Sequence, residues 1–259
     1  MDASGWKRLK DQERQTVMPP MLPERLNLRT AAAVLAEHSK ATLSEAHLES
    51  LGAVTVTRDG IIRLRPSSGL LLRRGNEEYD AGELARVLGE VALTERALQD
   101  GTCLAGERPV ALLLVENIGP YIDLRPPPGW LVAHVPGWNT ATVKLLFEQL
   151  AEVPVVHFGD LDPNGLRIVQ HLRELCPSLL WAVPDFWSEH IKCRARTCTW
   201  PEDLDLQAAP GWVRELATCG RWLEQELIAL DPRLSGALEA IVGPANRRHA
   251  PPTQPSRAP

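Results

Sequence analysis

The sequence lacks any apolar run long enough to cross a membrane. Its longest apolar stretches, such as residues 110–115, are far shorter than the ~20 residues that a membrane span requires. The ten N-terminal residues, MDASGWKRLK, also lack the apolar core of a secretory signal. We therefore expect a cytoplasmic protein that makes no contact with membranes.

Cysteine is scarce and follows no metal-binding or disulfide pattern. The five cysteines are an odd number and widely scattered, which favours reduced thiols in a chain of this length. The cluster His190, Cys193 and Cys198 was considered as a zinc site. It contains no Cys-x2-Cys pair and lacks a fourth ligand, so ordinary side chains are the preferred interpretation.

Charge is unevenly distributed along the 259 residues, although the total is only −5. Residues 1–75 hold 12 Lys and Arg against 8 Asp and Glu, whereas residues 76–259 hold 16 against 25. A hydrophobic content of 44% excludes fibrous and disordered classes. A basic part beside an acidic part suits a protein that holds a polyanion and gathers carboxylates around cations, although two solvated surfaces would look the same.

The first part of the chain has the element order of a winged helix. A helix is predicted over residues 30–36 and a second over residues 43–51. Residues 53–57 and 61–65 then flank the turn pair Asp59-Gly60, which predicts a β-hairpin. We divide the chain into an N-terminal helix and linker (1–28), a winged-helix-like module with a connecting helix over residues 81–99 (29–107), an α/β domain (108–232) and a mostly disordered Pro-rich tail (233–259).

Five arginines lie on or just after the predicted hairpin, with a single acid, Asp59, among them. A strand pair that lies on DNA phosphates needs such side chains. Arginines on an exposed hairpin also keep a sheet edge soluble, so both explanations stay open. The candidate DNA-binding residues are Arg58, Arg63, Arg65, Arg73 and Arg74.

From residue 108 onwards, apolar strands alternate with helices over short loops. This pattern predicts an α/β fold with a mostly parallel four-stranded sheet flanked by helices, whose functional groups lie at the carboxyl ends of the strands. A last helix is expected over residues 212–230. The predicted strands are residues 110–115, 130–135, 153–158 and 179–183, and the predicted helices between them are residues 140–150 and 163–174.

Three acids follow two of these strands directly. Glu116 follows the first strand, and Asp160 and Asp162 follow the third. Carboxylates pressed together repel one another unless a cation lies between them, and Mg²⁺ (or Mn²⁺) fits an all-oxygen site that also takes phosphate. Asp162 before Pro163 also suits a helix N-cap, and Glu116 could simply be solvated. An EF-hand is excluded because its fourth position is Pro163 and its twelfth is His171.

The motifs resemble the Toprim domain of topoisomerases, primases and related nucleases. The string Gly159-Asp160-Leu161-Asp162-Pro163-Asn164-Gly165 is similar to the form found in the topoisomerase VI A subunit and in the JetD family, the nuclease subunits of Wadjet plasmid-defence systems. Val115-Glu116-Asn117 resembles the first JetD motif. Leu223-Glu224-Gln225-Glu226 resembles a string near the end of that family.

The resemblance implies a Mg²⁺-dependent endonuclease that hydrolyses duplex DNA. It implies a homodimer to which an SMC-like, condensin-type complex delivers plasmid DNA, with Glu116, Asp160 and Asp162 as the acidic centre. The chain leaves little room for the long N-terminal arm of JetD proteins. Glu224 and Glu226 lie two apart on the expected helix, so at most one of them, Glu226, should reach the metal.

Tyrosine is also scarce, and this bears on the choice between hydrolysis and transesterification. Topoisomerase relatives cut DNA through a tyrosine of the winged-helix module. Tyr79 lies among acids and Tyr121 lies in the acidic domain, so we favour attack by water. The alternatives are a topoisomerase VI A-like transesterase, a non-catalytic DNA-binding and dimerisation subunit, and a primase-like or RNA-processing enzyme.

Overall fold

The computed structural model describes residues 22–36, 38–136, 140–207 and 209–243. The predicted N-terminal helix and most of the Pro-rich tail fall outside these residues. The chain forms two compact units that meet in sequence between Gly60 and Ile61, a different division from the boundary predicted at residue 108. Across the described ranges, no helix combines the length and apolar character that a bilayer span needs.

Over residues 22–36 and 38–60, unit 1 contains two short helices and two short parallel strands. The helices α1 and α2 confirm the two predicted helices, although α2 is shorter than expected. Asn27 caps α1, and Ser44 caps α2. A small core forms around Leu26, Ala31 and Leu51. The elements are β1 (Arg25–Asn27), α1 (Leu28–Leu35), α2 (Glu45–Glu49) and β2 (Thr55–Thr57).

The predicted hairpin around Asp59-Gly60 is wrong. Strand β2 pairs in parallel with β1, so its partner is the strand before α1 and not the segment after the turn. The Asp59 carboxylate accepts hydrogen bonds from Asn27 Nδ2 at 2.7 Å and Thr57 Oγ1 at 2.9 Å. These bonds tie Asp59, at a positive φ of 54°, to the two strands of unit 1.

Unit 2 is a mixed α/β unit, which confirms the predicted class. Two of its helices are 3₁₀ helices, Asp185–His190 and Gln225–Leu227. The other elements in chain order are β3 (Ile61–Arg65), β4 (Leu70–Arg74), β5 (Glu77–Asp80), α3 (Ala81–Leu88), β6 (Val91–Thr94), α4 (Glu95–Gln99), β7 (Cys103–Gly106), β8 (Leu112–Val115), α5 (Ile118–Asp123), β9 (Leu131–His134), α6 (Thr140–Gln149), β10 (Val155–Phe158), α7 (Pro163–Leu175), β11 (Leu180–Trp181), α8 (Ile191–Arg194), β12 (Arg196–Thr197), α9 (Gly211–Thr218), β13 (Arg221–Trp222) and α10 (Arg233–Val242).

The main sheet has six strands in the order β11-β10-β8-β9-β3-β6, two more than predicted. The first four are mutually parallel. Strand β3 runs antiparallel to both β9 and β6. The antiparallel strands come from the segment that the sequence assigned to the preceding module, so that segment belongs to the same sheet as the α/β strands. The unit also contains two smaller antiparallel sheets in the described residues, β5-β4-β7 and β12-β13.

Both faces of the central strands β8, β9 and β10 are covered, because alternate residues of these strands enter separate cores. In β8, Leu112 and Leu114 pack in the core that also holds Leu146 of α6 and Val169 of α7. Leu113 and Val115 face the opposite core, together with residues of α9 and α10. The continuous apolar character of β8 follows from this double burial.

Two predicted long helices are interrupted. The helix over residues 81–99 ends at Gly89, whose φ of 87° caps α3, and residues 91–94 become β6 because their alternating burial suits a strand paired with β3. The helix over residues 212–230 ends before Gly220, whose φ is 62°, and the chain continues as β13 and a 3₁₀ helix. In both cases a glycine at positive φ ends the helix.

Candidate active site

The ends of β8 and β10 bring the predicted acidic residues to one edge of the sheet. The two strands are parallel neighbours, with Val115 opposite Phe158. The Glu116 backbone N–H donates to the Phe158 carbonyl at 3.1 Å, which holds the strand ends together. Glu116 therefore follows one strand and Asp160 follows its neighbour at the same level, as the spacing predicts.

Glu116 lies over the backbone of Gly159. A Cβ atom on Gly159 would approach Glu116 Oε2 to 2.5 Å and His157 Nε2 to 2.7 Å. The Oε2 atom is buried and has no hydrogen-bond partner within the described residues. Burial, followed by the charges of Asp160 and Asp162, raises the pKa of Glu116 to about 7. This carboxyl group therefore carries a charge that the metal-free protein stabilises poorly.

Asp160 is held by hydrogen bonds from two sides. Asn117 Nδ2 donates to both carboxylate oxygens at 3.1 Å, and the Gln225 backbone N–H donates to Oδ1 at 2.7 Å. Burial nevertheless raises the pKa of Asp160 to about 6, against the lowering effect of these bonds. Its orientation is thus determined by partners on other elements, and its charge remains poorly compensated.

Asp162 is the N-cap of α7, which confirms the helix start that the sequence predicts at this residue. Its Oδ1 accepts the Gly165 N–H at 2.6 Å, and Pro163 occupies the first turn. Gly165 is required for space, because a Cβ there would lie 2.2 Å from the Asp160 carbonyl oxygen. The cap is also part of the acidic cluster, since its charge raises the pKa of both Glu116 and Asp160.

A fourth carboxylate comes from the C-terminal part of unit 2. Glu226 Oε2 accepts from Asn117 Nδ2 at 3.4 Å, and its charge raises the pKa of Asp160. Glu224 turns away and pairs with Arg196 at 2.9 Å. Only Glu226 of this pair joins the cluster, although the segment is a 3₁₀ helix and not the predicted α-helix. We call Glu116, Asp160, Asp162 and Glu226 the acidic centre.

Sequence reasoning missed three polar residues around the acidic centre. Asn117 bridges Asp160 and Glu226, and Gln225 bonds Asp160 through its backbone. His157 is fully buried beneath Gly159, where burial lowers its pKa to about 4, so it is neutral at pH 7. Each adjoins a motif carboxylate in sequence or lies in the strand before it, but the hydrogen bonds of Asn117 and Gln225 and the burial of His157 become visible only in three dimensions.

The chemistry of the acidic centre fits a hard divalent cation. All four side chains offer oxygen, two have raised pKa values, and Glu116 Oε2 is a buried acceptor without a partner in the described part of the chain. Over the same residues, no group of three or more His, Cys, Asp or Glu side chains lies close enough together to hold a metal ion as the side chains stand.

The five predicted DNA-binding arginines occupy three different settings, because the hairpin expected to carry them is not formed. Arg58 is exposed in unit 1, and Arg73 and Arg74 are exposed at the end of β4. Arg63 pairs with Glu90 at 2.6 Å. Arg65 donates through Nη1 to the carbonyls at the end of α5, at 2.6 Å and 3.0 Å for the two shortest bonds, and burial lowers its pKa. The last two therefore have structural partners.

Neither tyrosine is prepared as a nucleophile. Tyr79 is exposed on β5, and its hydroxyl donates to Glu77, which raises the Tyr79 pKa. Tyr121 is buried beside His134, and burial raises its pKa as well. A nucleophilic phenol needs a lowered pKa or a base that removes its proton. The raised pKa values oppose phenolate formation at both positions, and the Tyr79 hydroxyl has a carboxylate, Glu77, within hydrogen-bond reach.

Residues 82–182 match the family model described as "Wadjet protein JetD, C-terminal". The matched segment is less than half of the 259-residue chain and includes Glu116, Asp160 and Asp162, whereas Gln225 and Glu226 lie beyond it. This segment is therefore similar to the C-terminal part of JetD proteins. A search of curated proteins found no match.

Proposed function

We propose that this protein is a metal-dependent endonuclease subunit of a Wadjet-type system and that it hydrolyses duplex plasmid DNA. The observation that carries the proposal is the convergence of Glu116, Asp160, Asp162 and Glu226 at the ends of two parallel strands, inside the segment that matches the JetD family or directly against it. A Glu after one strand and an Asp-x-Asp after its neighbour support a Toprim domain within the six-stranded sheet.

The acidic centre would hold Mg²⁺, or Mn²⁺ in its place, through Glu116 and Asp160 with help from Asp162 and Glu226. A bound ion of this kind lowers the pKa of a coordinated water and stabilises charge on the phosphate. The protein's own part is positional. Asn117 orients Asp160 and Glu226 together, and α7 holds Asp162 through its first turn. Burial, added to by neighbouring carboxylates, raises the pKa of Glu116 to about 7 and that of Asp160 to about 6.

Hydrolysis by water is favoured over a tyrosine-linked intermediate. The raised pKa of Tyr79 and its bond to Glu77 oppose phenolate formation. Attack by water leaves a 5′ or 3′ phosphate end with no protein attached. Exposed Arg58, Arg73 and Arg74 are the predicted arginines that remain available for phosphate contacts.

Partners are part of the proposal. The JetD likeness supports work within a complex of Wadjet subunits, for which an SMC-like motor is the expected partner, and a homodimer would place two acidic centres on the two strands of a duplex. In a Wadjet role, cutting would depend on delivery of the plasmid and not on a DNA sequence.

The direct test is cleavage of supercoiled plasmid in the presence of Mg²⁺ or Mn²⁺, with and without the other Wadjet subunits. Asp160→Ala should reduce nicking by at least about 100-fold, because loss of a ligand exceeds the 10–100-fold effect of removing a residue that only supports one. Glu116→Gln should have the same effect. Glu148→Gln is the matched control, since Glu148 is exposed on α6 and is engaged only with Lys144 at 4.0 Å.

Each outcome separates this proposal from the alternatives. DNA binding without metal-dependent nicking, even with the partner subunits present, would identify a non-catalytic binding subunit. Protein covalently joined to DNA ends would identify a transesterase. Cleavage of RNA but not of the plasmid would point to an RNA-processing enzyme. Equal nicking by wild type and Asp160→Ala would show that another site cuts the DNA.

A further inference from the structure

Gln225 joins the two strand ends that carry the acidic centre. Its side chain is fully buried, donates through Nε2 to the Phe158 carbonyl at 2.7 Å and accepts through Oε1 from the Asn117 N–H at 3.0 Å. Its own backbone N–H donates to Asp160 Oδ1 at 2.7 Å. One residue therefore contacts the end of β10, the residue after Glu116 and a carboxylate of the centre.

Glutamine is the side chain that these contacts require. The Phe158 carbonyl accepts the Gln225 amide as a second donor beside the Glu116 N–H, and the Asn117 N–H needs an acceptor, so a single neutral amide serves both strand ends. An ionised carboxylate at this position could not donate, and an apolar side chain could do neither.

The segment that carries Gln225 is itself held in register. Leu161, between the two aspartates, exchanges backbone hydrogen bonds with Leu223 at 2.9 Å and 3.2 Å. This short bridge fixes the chain two residues before Gln225. The 3₁₀ helix that follows then presents the Gln225 N–H to Asp160 on one side and carries Glu226 towards Asn117 on the other.

We propose that Gln225 is a positioning residue of the acidic centre, which sets the spacing of Glu116 and Asp160 by joining the ends of β8 and β10 and by holding Asp160 through its backbone. The inference rests on the proposed function, because it assigns a role within the metal site. It also makes that site depend on the chain beyond residue 182, outside the segment that matches the JetD family.

The test compares Gln225→Met with Gln149→Met in the full-length protein. Gln149 is a matched control, because its amide also accepts from one backbone N–H, that of Leu104, and donates to one carbonyl, that of Thr102, in a part of unit 2 that holds none of the four carboxylates. Gln225→Asn, which keeps the amide but is one methylene shorter, is a milder variant that serves if Gln225→Met does not fold.

Two measurements are made below the melting temperature of every variant. The first is the ¹H–¹⁵N NMR position of the Glu116 amide proton without metal, which reports its bond to the Phe158 carbonyl and hence the spacing of the two strand ends. The second is the dissociation constant for Mn²⁺ by calorimetry without DNA. Gln225→Met should move the amide proton and raise the Mn²⁺ dissociation constant about tenfold or more, and Gln225→Asn should do so to a smaller extent. Gln149→Met should lower only the melting temperature.

The results separate this inference from the proposed function. An unchanged amide position and Mn²⁺ affinity in Gln225→Met would overturn the inference, as would an equal loss of Mn²⁺ affinity in Gln149→Met. Wild-type protein that binds Mn²⁺ but never cuts plasmid would refute the nuclease and leave the role of Gln225 decided by the two variants. If wild type binds no Mn²⁺, the proposed metal centre fails and the amide position alone decides the role of Gln225.

Discussion

Gly159→Ala should disable the acidic centre while leaving the fold largely intact. Gly159 does not have a positive φ, so only the space around it matters. The added Cβ would lie 2.5 Å from Glu116 Oε2 and 2.7 Å from His157 Nε2, whereas ordinary contact begins at 3.4 Å. The flexible carboxylate of Glu116 must therefore withdraw by about 1 Å, and the buried His157 ring and the residue-159 backbone must move apart by about 0.7 Å as well.

The size of the effect follows from this displacement. Overpacking of a buried site costs about 1–3 kcal/mol, and each kcal/mol lowers the melting temperature of a unit of this size by about 2–4 °C. A shift of about 1 Å in a catalytic group can reduce the rate about 100-fold. The variant should therefore remain folded at 25 °C, lose Mn²⁺ affinity and nick plasmid about 100-fold more slowly than wild type.

Gly236→Ala provides the same chemical change without the clash. Gly236 lies on α10, where a Cβ would have no atom within 4 Å among the described residues, and alanine in a helix gains roughly 0.5–1 kcal/mol over glycine. This control should melt slightly higher and nick normally. Wild-type melting, metal affinity and nicking in Gly159→Ala would refute the close approach of Glu116 to the strand end.

Three further predictions follow from the same geometry. The fold raises the pKa of Glu116 from 4.5 to about 7 and that of Asp160 from 3.8 to about 6, so the folded state holds more protons than the unfolded chain between these values. The free energy of unfolding should therefore fall as the pH rises from about 4 to 7. Urea titrations should show a smaller fall in Glu116→Gln, and an equal fall would contradict the assignment. Arg65→Met should cost about 2–4 kcal/mol of stability because it removes the hydrogen bonds from the charged guanidinium to the end of α5. Arg74→Ala, at an exposed position, should weaken DNA binding in a salt-dependent manner and leave the melting temperature unchanged. The reverse pattern would identify Arg65 as a DNA contact. Tyr79→Phe should nick at the wild-type rate and leave no protein on the DNA ends in denaturing gels, and a loss of cutting would indicate a covalent mechanism.

Local sequence was sufficient for the strands and for the acids that follow them. An apolar run that ends abruptly in charge, as at Val115-Glu116, marks the end of a doubly buried strand, and Asp162 before Pro163 marks a helix start. These patterns depend on residues within a few positions of one another. For that reason the positions of Glu116, Asp160 and Asp162, and their meeting at one sheet edge, were predictable.

Strand partners were not predictable in the same way. Alternation over residues 61–65 identifies a strand, but it does not say whether the strand pairs across a tight turn or with a distant segment. In the folded protein this strand, β3, pairs with β9 and β6, whereas β2 pairs with β1 beside the hydrogen bonds of Asp59. Arg65 thereby became a structural residue, although its type and position in the sequence suggest a DNA contact.

Apolar runs in the sequence are enough to place the central strands and the carboxylates that follow them, but not the ends of the two long helices or the strands over residues 70–106. How those carboxylates are held follows only from the tertiary structure. The hydrogen bonds to Asp160 and Glu226 join pairs of residues that are separated in the sequence by 65 and 109 positions. Hydrogen bonds of that range have no sequence periodicity, and they form only after the sheet has brought the strand ends and the 3₁₀ helix together.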